Sequence, residues 1–293
     1  MKVAYHAANV IDAQLVVDLL ATAGIPAHVQ GSYLSGGIGE LPAGELVRVW
    51  VATNQLADAR QLLAEQWHGI GVEPATDDGA FQRGWAAAWA AIGARGDGDG
   101  LRDRLLAAWS EPQRRYHTLQ HLEECLWLFE AHAGLADEPG DVAMALWFHD
   151  AVYEVRATDN EVRSAQWAAA ALAEAGVAAE RCERVHALVM ATRHDVAPAS
   201  RDQALLVDID LSILGAAPER FDEYEVQVRQ EYAWVPRPLF RRKRREILQG
   251  FLDRPAIYST PVLHDELEAR GRDNLQRAVA RLRPWYRFLS SVR

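Results

Sequence analysis

From Leu101 to the C-terminus almost every stretch of this chain carries the 3.6-residue hydrophobic period, and alternating β-branched runs are absent. That pattern restricts this part to helices packed on helices, because a helix-period stripe cannot face a core from a strand. The periodicity predicts helices over Leu101–Trp109, Pro112–Ala133, Asp141–Tyr153, Glu161–Ala175, Ala178–Ala191, Gln203–Leu214, Pro218–Tyr232, Pro238–Asp253 and Asp265–Leu282. Asp141 is the expected N-cap of its helix, and Gly134, Gly176 and Gly215 are expected stops. Residues 1 to about 70 read differently. Strand signals at Lys2–His6, Ala27–Gln30 and Leu46–Val51 alternate with helix signals at Asp12–Ala23 and Asn54–Gln66, with Gly24 and Gly69 at helix ends, which spells a small βαββα(β) unit. Gly31–Gly44, rich in Gly and Ser, reads as a long exposed loop.

The expected layout is an α+β two-domain chain: residues 1–72 as the small unit, 73–100 as a linker, 101–285 as an all-α domain and 286–293 as a tail. Within the linker, Phe81–Ala94 has the composition of an Ala/Trp-rich helix. At 293 residues two unequal domains with real cores are affordable. The net charge of −10 disfavours general nucleic-acid binding and attraction to anionic membranes. A basic cluster at Arg237, Arg241, Arg242, Lys243, Arg244 and Arg245 departs from that balance, and most of it is expected to be a solvated helix face. Cys125 and Cys182 lie in apolar helical patterns without C-x-x-C spacing, so buried free thiols are expected. With no signal pattern and no apolar run of membrane-spanning length, the expected location is the cytoplasm. The tryptophans at 147, 167, 234 and 285 read as core or rim residues.

Two short stretches carry chemistry: Tyr116-His117-Thr118-Leu119-Gln120-His121 and Phe148-His149-Asp150. Histidines four apart on a helix share a face, so His117 and His121 are expected in one cleft. His149-Asp150 follows a wholly apolar helix, where ionisable groups need partners. Asp208, Asp210 and the pair His194-Asp195 are candidates to complete the set. Asp208 and Asp210 lie on different helical faces, so only one is expected to turn toward the site.

The order His, His-Asp, Asp across an all-α domain resembles the HD superfamily of metal-dependent phosphohydrolases, over roughly residues 101 to 285. The motif around His117 and His121 is similar to the Y-H-N-x-x-H of the cyclic-nucleotide phosphodiesterase branch, and Asp210-Leu211-Ser212 to its D-L-S. Thr118 stands where that branch has Asn, and its purine-reading Gln has no counterpart here. Asn160-Glu161 and Arg229-Gln230-Glu231-Tyr232 look closest to a bacterial group of predicted HD phosphohydrolases. The resemblance implies His121, His149, Asp150 and Asp210 as ligands of a divalent metal and His117 as proton donor to the leaving group. Mn²⁺ or Mg²⁺ is favoured, with Fe²⁺, Co²⁺, Ni²⁺ or Zn²⁺ open. Glu154 is a candidate to position water or a second cation, and Asn160, Glu161, His194, Arg229 and Arg244 are candidates to contact a small phosphorylated substrate. A sensor that binds metal or nucleotide without turnover is the alternative. The N-terminal unit, through Ala7-Ala8-Asn9, Ala23-Gly24-Ile25-Pro26-Ala27 and Leu46-Val47-Arg48-Val49-Trp50-Val51, resembles a small bacterial signal-transducing domain. That implies a ferredoxin-like fold and a role in regulation or in binding a protein partner.

Overall fold

The computed structural model describes residues 1–7, 10–30, 47–66 and 78–282, and the chain divides into two compact units, Met1–Arg83 and Gly84–Arg293. In the first, β1 (Lys2–Ala7), α1 (Val10–Thr22), β2 (Ala27–Gln30), β3 (Val47–Val51) and α2 (Leu56–Gln66) follow the expected order. The sheet is antiparallel with order β1-β3-β2, so β1–α1–β2 crosses over β3 as a split βαβ unit. Val16 and Leu20 of α1 and Leu63 of α2 bury against Tyr5, Val49 and Val51 of the sheet. Gly24 takes φ +72 and the Ile25 amide reaches back to the Leu20 carbonyl, closing α1 where the sequence placed its end. The Gly31–Gly44 loop, Gly69 and the bracketed last strand fall outside the described residues.

The second unit is helical: α3 (Asp78–Ile92), α4 (Asp99–Trp109), α5 (Leu119–His132), α6 (Pro139–Phe148), α7 (Asn160–Glu174), α8 (Ala179–Ala191), α9 (Arg201–Asp210), α10 (Pro218–Glu231), α11 (Arg237–Leu252) and α12 (Pro261–Arg281). Its centre is α6, buried on every side from Gly140 to Phe148, with α5, α7, α8 and α9 packed around it. A helix apolar all round belongs in an interior. Part of the expected linker is the α3 helix, whose Trp85 stacks on Trp89 and meets Trp147 of α6 edge-on, each at 5.1 Å.

Three expected helices are shorter than the hydrophobic pattern suggests, for tertiary reasons. The one placed at Pro112–Ala133 begins only at Leu119, because the amides of Arg115, Tyr116 and His117 bond to the Glu231 carboxylate instead of to carbonyls one turn back. His117 and His121 therefore do not share a helical face. The one placed at Asp141–Tyr153 stops at Phe148, and the carbonyls of Asp150 and Ala151 accept from the buried Arg114 guanidinium. α9 ends at Asp210 and tightens into a 3-10 turn over Leu211–Gly215. Asp141 is no cap. Pro139 takes the first helical position, while the buried Asp141 carboxylate binds Arg181 at 2.6 Å and Arg184 at 2.7 Å.

Candidate metal centre

Three breaks in the helical pattern bring the ligand candidates together: the first turn of α5 presents His121, the residue after α6 is His149, and the last residue of α9 is Asp210. His121 Nε2 lies 3.2 Å from His149 Nε2 and 3.2 Å from Asp210 Oδ1, which is itself 3.7 Å from His149 Nε2. The His149 tautomer is fixed from behind. Its Nδ1 stands 2.7 Å from the Leu146 carbonyl, which can only accept, so Nδ1 carries the proton and Nε2 offers its lone pair. The Trp109 ring packs 5.2 Å from the His149 ring, and its Nε1–H donates to the Trp147 carbonyl at 3.0 Å. His121 Nδ1 meets the Tyr116 hydroxyl at 3.0 Å, which leaves its Nε2 free as an acceptor when Nδ1 donates.

With the His121 proton on Nδ1, two imidazole lone pairs and a carboxylate oxygen converge with no proton among them, an arrangement that repels itself unless a cation sits between; with the proton on Nε2, His121 donates to Asp210 instead. Donors about 2.1 Å from a shared ion lie about 3.0–3.4 Å apart at octahedral or tetrahedral angles, so the first two separations match and the third needs a small adjustment. The residues fit a metal. Asp150 Oδ2, 3.6 Å from His149 Nε2, is placed to add a second carboxylate.

Cys125, one turn beyond His121, joins His121, His149 and Asp210 in a group that could hold a metal ion. Its Sγ is 3.7 and 3.8 Å from the two nitrogens of the His121 ring. A thiol in the ring plane at those distances would collide with Cε1, so Sγ stands over the ring face, away from the lone-pair direction of Nε2. Burial first, and then the Asp210 charge, pushes the thiol pKa well up. The hard N and O donors are the better set. Both cysteines are buried free thiols.

Electrostatics divides the site into an inner ligand group and an outer proton-bearing histidine. Burial would raise the pKa of Asp210, but bonds from His121 and His194 and the nearby His149 hold it well below the usual carboxylate range. Burial lowers His121. His117 goes the other way: burial pulls it down, yet the Asp150 charge and the hydrogen bond to Glu231 outweigh burial and raise its pKa. Its Nδ1 is 2.9 Å from Glu231 Oε2, its ring stacks on Tyr153 at 4.1 Å, and its Nε2 faces Asp150 Oδ2 at 3.9 Å. His194 also reaches the centre, with Nε2 3.1 Å from Asp210 Oδ2 and a backbone φ of 57°. A non-glycine residue at that angle is worth a functional question.

The other candidates lie elsewhere. Glu154 is exposed and paired with Arg163 at 2.8 Å, because α6 has already ended and cannot carry it one turn beyond Asp150. The Asn160 side chain bonds both backbone groups of Glu154, anchoring the connection, and Glu161 sits beside it in the first turn of α7. Arg229 donates to the carbonyls of Tyr232 and Val235. Arg244 is buried against Glu225 and the Tyr224 ring, one layer behind Tyr116. Asp208 points away and accepts the amides of Ser259 and Thr260, which leaves Asp210 as the acid that faces the site.

Glu231 is a site residue that sequence reasoning did not single out. Its Oε1 takes the three amides of 115–117, its Oε2 the His117 ring and the Tyr153 hydroxyl at 2.9 Å. Burial opposes the charge, but His117 and these amides hold its pKa near about 2. A signal existed: Glu231 continues the buried stripe Phe221, Tyr224, Val228 at helical spacing, and an acid on such a stripe needs a partner. Arg114, which ties the His117 carbonyl to those of Asp150 and Ala151, has no comparable periodic signature.

Residues 1–66 match a family described as "putative prokaryotic signal transducing protein", and the match covers no part of the helical unit. No curated protein and no solved structure matches the chain. Among the described residues no helix is long and apolar enough to cross a membrane.

Proposed function

We propose that the helical unit is a metal-dependent phosphohydrolase that cleaves a small phosphate ester, a nucleotide or related metabolite. The observation that carries this reading is the pairing of a metal-competent cluster of lone pairs with His117, a histidine whose proton is retained by Asp150 and Glu231. His121, His149, Asp150 and Asp210 would hold the ion, with Mn²⁺ or Mg²⁺ favoured for this N and O donor set. A divalent cation there would supply positive charge to a phosphoryl oxygen and would lower the pKa of a water bound to it from about 16, the extreme being roughly 7 in zinc sites. His117 donates its Nε2 proton to the departing oxygen, an effect worth roughly 10²- to 10⁴-fold. Glu231 keeps the Nδ1 proton in place during that transfer, Asp150 orients the attacking water, and Arg114 holds the two segments bearing His117 and Asp150 in register.

The N-terminal unit is proposed to bind a protein partner and regulate the centre, in keeping with the family it matches. That match also favours the second reading, a sensor in which metal or nucleotide binds without turnover. Elemental analysis of the purified chain with a phosphate-release screen of nucleotides and sugar phosphates, Mn²⁺ or Mg²⁺ added, separates the two. Stoichiometric metal with product that disappears in Asp210→Asn supports the hydrolase. Metal with tight ligand binding and no product over hours supports the sensor, and no metal after reloading refutes the hydrolase and the metal-binding form of the sensor.

A further inference from the structure

Trp234 is the one aromatic among the large apolar side chains that the described residues leave exposed, at 52 % of its surface. The sequence placed it in a core or on a rim, and an indole left this bare loses the burial that usually accounts for a tryptophan. It is held in that position. The Val235 amide closes a turn on the Tyr232 carbonyl at 2.9 Å, and Arg229 donates to the carbonyls on either side of Trp234, Tyr232 at 2.7 Å and Val235 at 3.1 Å. The Arg229 guanidinium also lies over Phe240 at 4.7 Å, so the clamp itself cannot swing. These are the contacts Arg229 makes in the structure.

The turn grows directly out of the site. Glu231, which grips His117, is three residues before Trp234, and the segment after α6 that carries Asp150 and Tyr153 continues to Arg156. The Arg156 guanidinium sits 4.8 Å from the Trp234 ring centroid. The two segments are thus joined twice, by the buried Tyr153 hydroxyl on Glu231 and by Arg156 on the exposed Trp234. The centre is not sealed: the side chains of His117 and Asp150 keep 21 % and 15 % of their surface. An exposed indole with a cation across it, three residues from Glu231 and on a segment tied to the one that carries Asp150, suits a planar base bearing a phosphate. Stacking supplies the affinity for the base, and the guanidinium can contact the phosphate or the base edge.

We infer that Trp234, with Arg156 across its ring, is a stacking platform for an aromatic base, so that the ester handled at this centre is a nucleotide and not a sugar phosphate. The inference rests on the phosphohydrolase reading for its chemistry, but the platform can be tested by binding alone. Equilibrium dialysis of the full, Mn²⁺-loaded chain against AMP, UMP, cyclic AMP and ribose 5-phosphate, run beside product analysis (phosphate from the three monoesters, AMP from cyclic AMP), is the experiment. The expected result is that at least one of the three nucleotides binds more tightly than ribose 5-phosphate. Trp234→Ala then weakens it about 5- to 150-fold, the range that base–aromatic stacking covers. Trp234→Phe retains most of the affinity, and ribose 5-phosphate is indifferent to both changes. Thermal melting of Trp234→Ala unchanged from the parent excludes loss of fold as the cause. Nucleotide binding equal to that of ribose 5-phosphate, absent, or untouched by Trp234→Ala overturns the platform. Binding that depends on Trp234 with no product from any compound keeps the platform and removes the hydrolase.

Discussion

Replacing Glu231 by Gln tests the electrostatic arrangement without reference to any substrate. The side chain is fully buried, its pKa is held near about 2 against an ordinary 4.5, and its partners are three amides, a histidine and a tyrosine hydroxyl. Because folding lowers this pKa, the folded chain binds fewer protons here than the unfolded one, so the carboxylate's contribution is full above the unfolded value and drains away as pH falls toward the folded one. A lowering from 4.5 to about 2 corresponds to about 3 kcal/mol at neutrality, of which about 2 kcal/mol survives at pH 3.5. Gln keeps the oxygen for the amides but turns an N–H toward His117 Nδ1, forcing that nitrogen to give up its proton. The expected outcome is a loss of about 3 kcal/mol at pH 7, with the gap to the parent narrowing as the pH is lowered toward 2. Urea denaturation at a series of pH values reads both. A variant within about 0.5 kcal/mol of the parent at pH 7, or a gap independent of pH down to 3, would mean the carboxylate is not charged and not holding His117 as described.

Three further outcomes follow from geometry. His149→Ala and Asp210→Asn are expected to lose stoichiometric metal while Cys125→Ser keeps it, as read by elemental analysis after dialysis against Mn²⁺; loss in the serine variant would place the thiolate among the ligands. Arg114→Lys keeps the charge but not the planar fork that serves three carbonyls, and is expected to cost about 2–3 kcal/mol in urea denaturation. Gly98→Ala meets two obstacles, a φ of +66 and a Cβ 2.6 Å from the Trp89 ring, and is expected to destabilise by about 3 kcal/mol, a value that calorimetry at neutral pH checks.

The parts of this protein legible in the sequence are those dictated by local pattern. The apolar run before His149 marked the central helix, the alternation of strand and helix signals marked the N-terminal sheet, and Asp210 was one of two acids flagged on an apolar stretch that had to face something. What stayed hidden depends on partners far along the chain. Nothing near Arg115–His117 announces that their amides belong to Glu231, more than 110 residues away, so the hydrophobic pattern runs a helix through them and puts His117 on a face it does not occupy. Glu154 was misplaced for the same reason, since α6 was extended past the point where Arg114 claims the carbonyls of Asp150 and Ala151. The arginines show the converse: a positive charge in an acidic chain invites a substrate role, yet in the structure Arg229 bonds a turn and Arg244 pairs with Glu225.

The α3 helix sets where the two halves of this protein can be parted. It runs unbroken from Asp78 to Ile92 while the boundary between compact units falls at Arg83–Gly84, within its second turn. Its Trp85 lies against Trp147, two residues before His149. A fusion or recombination joined at residue 100 would keep every ligand candidate and still strip an indole from the wall behind the centre. One joined upstream of Asp78 would carry the helix along with the helical unit. As a transferable module, the helical unit therefore begins inside what reads as linker, and exchange of its N-terminal neighbour is structurally permitted only on the far side of that helix.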